Sequence, residues 1–310
     1  MPARLIVNAD DFGLTPGVNQ AITELHTAGV VTSATLMARG DAFAHAVELA
    51  HAHPTLGVGC HIVLTDGQPV SSPETISSLL ARDGRSFRPV LRDFVVAVLR
   101  GRVKREDIRR EAVAQIQTLQ RAGIRVTHLD THKHTHVLPQ VAGPLLEAAE
   151  ITGIPAIRNP FEANWSLRFG YSKPFRLLAV VLTRLLRRSF LARKALRSGH
   201  IVTTNGTIGI SATGRLDEPV LRKILNALAA RDGTWELVCH PGYNDRDLQF
   251  IRTRLLETRE VERKALLNAF TQKDSSHPQL PELIHYGRLA EAAMSSASAG
   301  VNDGHHQQKK

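Results

Sequence analysis

The chain has 310 residues, 43% of them apolar, with two cysteines and a formal charge of +10. This is enough for one large α/β domain with a sizeable core, and two distant cysteines, Cys60 and Cys239, exclude a disulfide framework or a thiolate metal site. No apolar run reaches the roughly 17–25 residues of a membrane span and no signal-peptide pattern opens the chain, so a cytoplasmic protein is expected. The positive charge is unevenly spread and aromatic content is only 5%, so no nucleic-acid partner is expected.

In chain order, β-rich runs at 4–9, 31–37, 56–62, 125–130, 154–158, 200–204 and 235–239 predict seven strands. Helical periodicity falls between them at 16–28, 41–52, 104–122, 140–152 and 217–231. Pro16 sits in a first turn, Asp41 is the expected N-cap of the second helix, and Gly29, Gly123, Gly153 and Gly233 follow helix ends. Alternation of this kind predicts parallel strands with helices outside, as a closed (β/α) barrel or an open doubly wound sheet. Residues 64–90, punctuated by Gly, Pro and Ser, read as an insertion. Residues 1–291 read as a single domain and 292–310 as a disordered tail.

The chemistry-bearing residues gather at strand ends. Asp10 and Asp11 follow the first strand, His61 ends the third, the run "HLDTHKHTH" (His128–His136) ends the fourth, and His240 ends the last. In parallel α/β folds that face carries the active site. An Asp-Asp pair taken alone is as readily a helix N-cap, and a lone histidine is usually structural. A carboxylate with imidazoles from separate loops suits one divalent cation with positions left for water and substrate. Strand alternation puts His61 and His240 inward and makes the neighbouring Cys60 and Cys239 packing residues. Only one of the adjacent aspartates is expected to reach the cation, leaving the other free as a base.

The motifs "LIVNADDFG", "TSATLM", "GVGCHIVLT", "THLDTHKHTHVLP" and "CHPG", in this order across residues 4–245, resemble the YdjC-like carbohydrate deacetylases. That family includes chitooligosaccharide deacetylases and a hopanoid-biosynthesis-associated branch. The resemblance implies a distorted (β/α) barrel of about seven parallel strands, Mg²⁺ as cofactor, and hydrolysis of an N-acetyl group from an amino sugar. Zn²⁺ is the alternative that two imidazoles and a carboxylate favour chemically. By motif, Asp11, His61 and His132 bind the metal. Asp10 corresponds to a catalytic base and His240 to a catalytic acid, while Asp130, His134, His136 and Arg158 are expected to orient ligands or touch substrate.

Residues 168–197 hold nine basic and no acidic side chains, with Leu178, Leu182 and Leu185 at helical spacing and Leu186 adjacent. Together with "IRNPFEANWS", this run is closer to the hopanoid-associated branch. It reads either as a basic barrel helix or as an interfacial helix bringing the enzyme to an anionic membrane and a glycolipid substrate. A homodimer is a further expectation. The rival readings are a metal-dependent phosphoesterase, which would call for ligands to two metals, and a non-enzymatic basic nucleic-acid or lipid-binding protein.

Overall fold

The apolar run after Met1 makes β1 (Arg4–Phe12), whose last eight residues are all buried. Strand continuity of this sort, apolar on both faces, belongs to a parallel sheet covered on both sides. The computed structural model describes residues 3–170, 186–271 and 280–303. Beside β1 lie β2 (Ser33–Leu36), β3 (Gly57–Ile62), β4 (Leu129–Thr131), β5 (Gly206–Ile208), β6 (Thr234–Cys239) and the two-residue β7 (Glu282–Leu283), all parallel. Their order is β4-β3-β2-β1-β6-β5, with β7 on the start of β1. The segment 155–163 closes this half-barrel. Ile157 bridges Leu129 of β4, Ala156 bridges Val202, and Glu162 bridges Thr207 of β5. The result is a distorted (β/α) barrel.

Two predicted strands, 154–158 and 200–204, therefore appear only as single-residue bridges. Pro155 removes a ladder donor from the first and Pro160 another just beyond it, and the chain bends to pair with β4 at one end and β5 at the other. Sequence reading missed β5 and β7, which are short and lack period-2 alternation. The helices α1 (Pro16–Thr27), α2 (Phe43–Ala52), α4 (Arg105–Arg121) and α5 (Pro139–Thr152) lie where periodicity puts them, and α3 (Leu91–Leu99) was not foreseen. Asp41 does not cap α2. The N-cap is Ala42, without a side-chain bond, because the turn is closed by backbone instead, Ala42 N–H donating to the Gly13 carbonyl at 2.9 Å. The last helix spans Tyr286–Asp303 and enters the stretch read as a tail.

The insertion after β3 is an ordered excursion. Leu80 and Phe87 form an antiparallel bridge, and one face of α4 holds the segment down. Gln115 Oε1 accepts from Val63 N–H at 2.9 Å, Glu111 accepts from Val70 and Ser71 N–H at 2.8 and 2.9 Å, and Asp107 accepts from Ser78 N–H at 3.0 Å. These three residues recur at i, i+4 and i+8, one stripe of a helix, and all are buried.

Half of the basic run, residues 171–185 with Leu178, Leu182 and Leu185, lies outside the described residues. In the part described, Phe190 and Ala195 are buried, and Leu186, Leu191 and Leu196 pack against the core. Arg187, Arg188, Lys194 and Arg197 are exposed. No helix among the described residues is long and apolar enough to cross a membrane.

Candidate active site

The adjacent aspartates are explained by a β-bulge. Ala9 pairs with Ala34 and Phe12 with Leu36, so three steps along β1 match two along β2. The additional residue resets the side-chain alternation, and Asp11 takes φ 65° to make it. A left-handed conformation costs a non-glycine residue on the order of 1 kcal/mol or more. Here the next turn is well fixed, with Leu14 N–H donating to Asp11 O at 3.0 Å and Gly13 N–H to Asn19 Oδ1 at 2.6 Å. Capping of α1 falls to Thr15, which leaves both carboxylates free of that task.

Asp11 Oδ1 stands 3.5 Å from His61 Nε2 and 3.4 Å from His132 Nδ1, and those two nitrogens are 3.3 Å apart. Two donors bound at about 2.1 Å to one tetrahedral cation are separated by about 3.4 Å. The triangle therefore fits a divalent ion, and its donors come from β1, β3 and the turn after β4. Asp11 Oδ2 is taken by Arg259 Nη2 at 2.6 Å, so one carboxylate oxygen is left for the cation. On the far side of His61, Nδ1 meets Asp130 Oδ1 at 2.7 Å, fixing the ring with Nε2 toward the triangle. Burial opposes charge on His61, but the carboxylates of Asp130, Asp11 and Asp10 outweigh it and push the ring up to about 10. An environment that favours a cation at this ring is what a metal ion would use.

Asp10, His61 and Asp130 form a second acidic and imidazole group, but its carboxylates already have a cation. Arg158, fully buried, places Nη1 2.8 Å from Asp10 Oδ2 and Nη2 2.6 Å from Asp10 Oδ1. Nη1 also lies 2.5 Å from Asp130 Oδ2, and Nε donates to Glu236 Oε1 at 2.8 Å. Burial would raise Asp10, yet the Arg158 guanidinium holds it well below the usual carboxylate range. Glu236 goes the other way. Burial outweighs Arg158 and lifts it to about 7, and Tyr286 Oη donates to Oε2 at 2.5 Å.

His240 lies with Nε2 3.9 Å from Asp10 Oδ2 and Nδ1 3.9 Å from Glu262 Oε2. Glu262 also accepts the His240 backbone N–H at 2.7 Å, so this strand end is tied to the helix Glu257–Thr271. Arg259 and Glu262, one turn apart on that helix, are both buried. Sequence reading missed them. Their i, i+3 spacing within "ETREVERK" looks like a solvated charged face, and only two like-placed charges on an otherwise core-facing stripe, beside Ala265, Leu266 and Ala269, hint otherwise.

The remaining histidines divide. His134 is half-buried beside the cluster, and its Nδ1 has no hydrogen-bond partner among the described residues. His136 is not brought into the cluster, because Thr131 Oγ1 at 2.7 Å and the Arg158 carbonyl at 3.3 Å occupy its two nitrogens. It clamps the turn after β4 to the closing segment. His128 fills the barrel interior, stacked on Tyr286 at 4.0 Å with Nε2 3.0 Å from Asn8 Oδ1. A β-carbon on Gly59 would overlap its ring, which is why "GVGC" needs glycine there.

The side chains at these strand ends thus gather in one place. Residues 4–276 match the YdjC-like protein family. The chain belongs to that family. A Brevibacillus brevis protein named carbohydrate deacetylase is 34% identical over 286 residues, 92% of this chain and 99% of that one. A Homo sapiens protein of the same name is 34% identical over 250 residues, 77% and 75% of the two chains. Among solved structures, one described as a putative cellobiose-phosphate cleavage protein from Enterococcus faecalis V583 superposes with a TM-score of 0.74 at 25% identity, covering 93% of this chain and 99% of its own. This YdjC-like chain therefore shares its barrel over nearly its whole length.

His136 gives the family member a pH signature. Burial, then the Arg158 charge, depresses its imidazole to about 3, against about 6.5 when unfolded. The unfolded chain takes the proton first, so this contribution is intact above pH 6.5 and is lost as pH falls toward 3. Between pH 7.5 and 5.0 it falls by about 2 kcal/mol. Urea denaturation is expected to show a loss at pH 5.0 that is smaller by about this amount in His136→Gln.

Proposed function

We propose that this protein is a metal-dependent carbohydrate deacetylase that hydrolyses the N-acetyl group of an amino sugar. The reading is carried by the Asp11, His61 and His132 donor triangle lying against Asp10 and His240. The shared name of the Brevibacillus and human relatives supports it. When bound, a divalent cation supplies Lewis acidity toward the acetamide carbonyl and makes water easier to deprotonate. Asp10, kept ionised and aimed by Arg158, accepts the proton as water attacks. His240 delivers a proton to the departing amine nitrogen, so that acetate and the free amino sugar leave.

Mg²⁺ follows from the family resemblance, and the two imidazoles with one carboxylate favour Zn²⁺. A two-metal phosphoesterase is disfavoured, because the second group shares His61 and has both its carboxylates on Arg158. Replacing Asp11, His61 or His132 with Ala is expected to lower metal content in mass spectrometry. Asp10→Asn is expected to keep metal and lose turnover by roughly 10²–10⁴-fold, read as acetate released from N-acetylglucosamine oligomers and N-acetylglucosaminyl lipids. Normal metal and rates in all four variants would overturn the deacetylase reading.

The role of His240 is tested by leaving group. His240→Ala is expected to slow an acetamide, whose amine must be protonated to depart, by at least roughly tenfold more than an activated aryl acetate. Equal losses on both substrates would remove His240 from the acid role.

The finer substrate reading is a lipid-linked amino sugar of the hopanoid type. It is supported by the basic side chains Arg187, Arg188, Lys194 and Arg197 exposed at the described end of the basic run, while the apolar side chains there pack on the core as in a barrel helix, so the attachment proposed is electrostatic. Each basic residue at an anionic surface contributes about 1 kcal/mol. Co-sedimentation with anionic but not neutral liposomes, weakened by salt and by Arg187→Gln with Arg188→Gln, is the expected result. Binding to neither favours soluble chitooligosaccharides.

A further inference from the structure

Two residues outside the assigned machinery share an unusual backbone conformation and touch each other. Asp66 in the excursion has φ 61° and Lys133, directly after His132, has φ 57°. Lys133 Nζ meets Asp66 Oδ2 at 2.7 Å. His134 follows at φ 50°, so the chain takes two consecutive left-handed steps immediately after the donor His132. A lysine gains nothing from this region, where its β-carbon crowds the backbone. Such conformations persist where the surroundings over-determine them, and they concentrate at functional sites.

What depends on this turn is the direction of His132. β4 ends at Thr131, and His136 is clamped back onto Thr131 Oγ1. The four residues between must leave the strand, aim His132 Nδ1 at Asp11 Oδ1 and return. The other end of the ion pair is firmly held. Asp66 N–H donates to Arg88 O at 3.0 Å, Phe87 N–H to Gly67 O at 3.0 Å, and Thr65 Oγ1 to Arg88 O at 2.6 Å. Beneath them Glu111 and Gln115 of α4 bind the excursion's backbone. An exposed ion pair would mean little, but these side chains are only 29% and 19% exposed and both backbones are strained.

We propose that Asp66 and Lys133 are a positioning pair, tying the excursion to the left-handed turn after β4 and so fixing His132 as a cation ligand. The inference rests on the metal-site reading above. Its test is calorimetric titration of the metal-stripped full-length protein with Zn²⁺ and Mg²⁺. Asp66→Ala and Lys133→Met are each expected to weaken binding roughly tenfold, in the range seen when groups supporting metal ligands are removed. The double variant is expected to be no more than about threefold weaker than either single, since the pair acts as one unit. Lys133→Arg is expected to restore affinity to within about threefold of wild type. The melting temperature of the metal-free protein is expected to change little, which a general loss of structure would not allow. If Asp66→Ala does not fold, Asp66→Asn removes the charge at nearly constant volume and takes its place. Folded single variants that bind both ions as tightly as wild type, or losses that add in full in the double variant, overturn the pairing. A wild-type protein that binds neither ion overturns the metal-site reading itself, and this inference with it.

Discussion

The Arg158 guanidinium at the centre of the barrel is the interaction on which the rest depends. Three carboxylates, Asp10, Asp130 and Glu236, converge on it from β1, β4 and β6, and all three are buried. A buried charge without a partner costs several kcal/mol, so these strands can place acidic residues inward only because the closing segment brings a cation to meet them. The fork of five donors matters here, since a lysine has no planar set of hydrogens with which to serve three acids at once. Closure of the barrel and assembly of the site are therefore the same event.

From that centre the charges are graded outward. Asp10 is held ionised by two hydrogen bonds, whereas Glu236, deeper and partnered by Tyr286, is lifted toward neutrality. Asp130 spends one oxygen on Arg158 and the other on His61, which turns the imidazole toward Asp11. Each step hands orientation to the next group, ending at a triangle of donor atoms open toward the rim.

The helix Glu257–Thr271 acts on the same site from outside. Arg259 consumes one oxygen of Asp11, and Glu262 ties down the backbone at His240. One helix thus touches both the donor cluster and the proposed acid, and the stripe of α4 does the corresponding work for the excursion on the other side. Burying charged side chains in this way gives up solvation, and in both helices the return is a fixed position for backbone or carboxylate near the site.

The sequence alone determined the alternating α/β layout, the position of the acidic and imidazole residues at strand ends, and the family. Those features are local, because strand and helix periodicities are written in neighbouring residues and the motifs "DDFG" and "DTHKHTH" are contiguous. It did not determine how Asp10 and Asp11 could both serve, since the bulge that separates them is a matter of register between β1 and β2. It placed His136 beside the site with Asp130 and His134, although both its ring nitrogens are taken by Thr131 and the Arg158 carbonyl. Two predicted strands shrank to single bridges because barrel closure, not propensity, decided how 155–163 would pair. Arg259, Glu262 and the Asp66–Lys133 contact were invisible for one physical reason. Their meaning lies in partners 248, 22 and 67 residues away in the chain, and only the folded barrel brings those distances down to hydrogen-bond length.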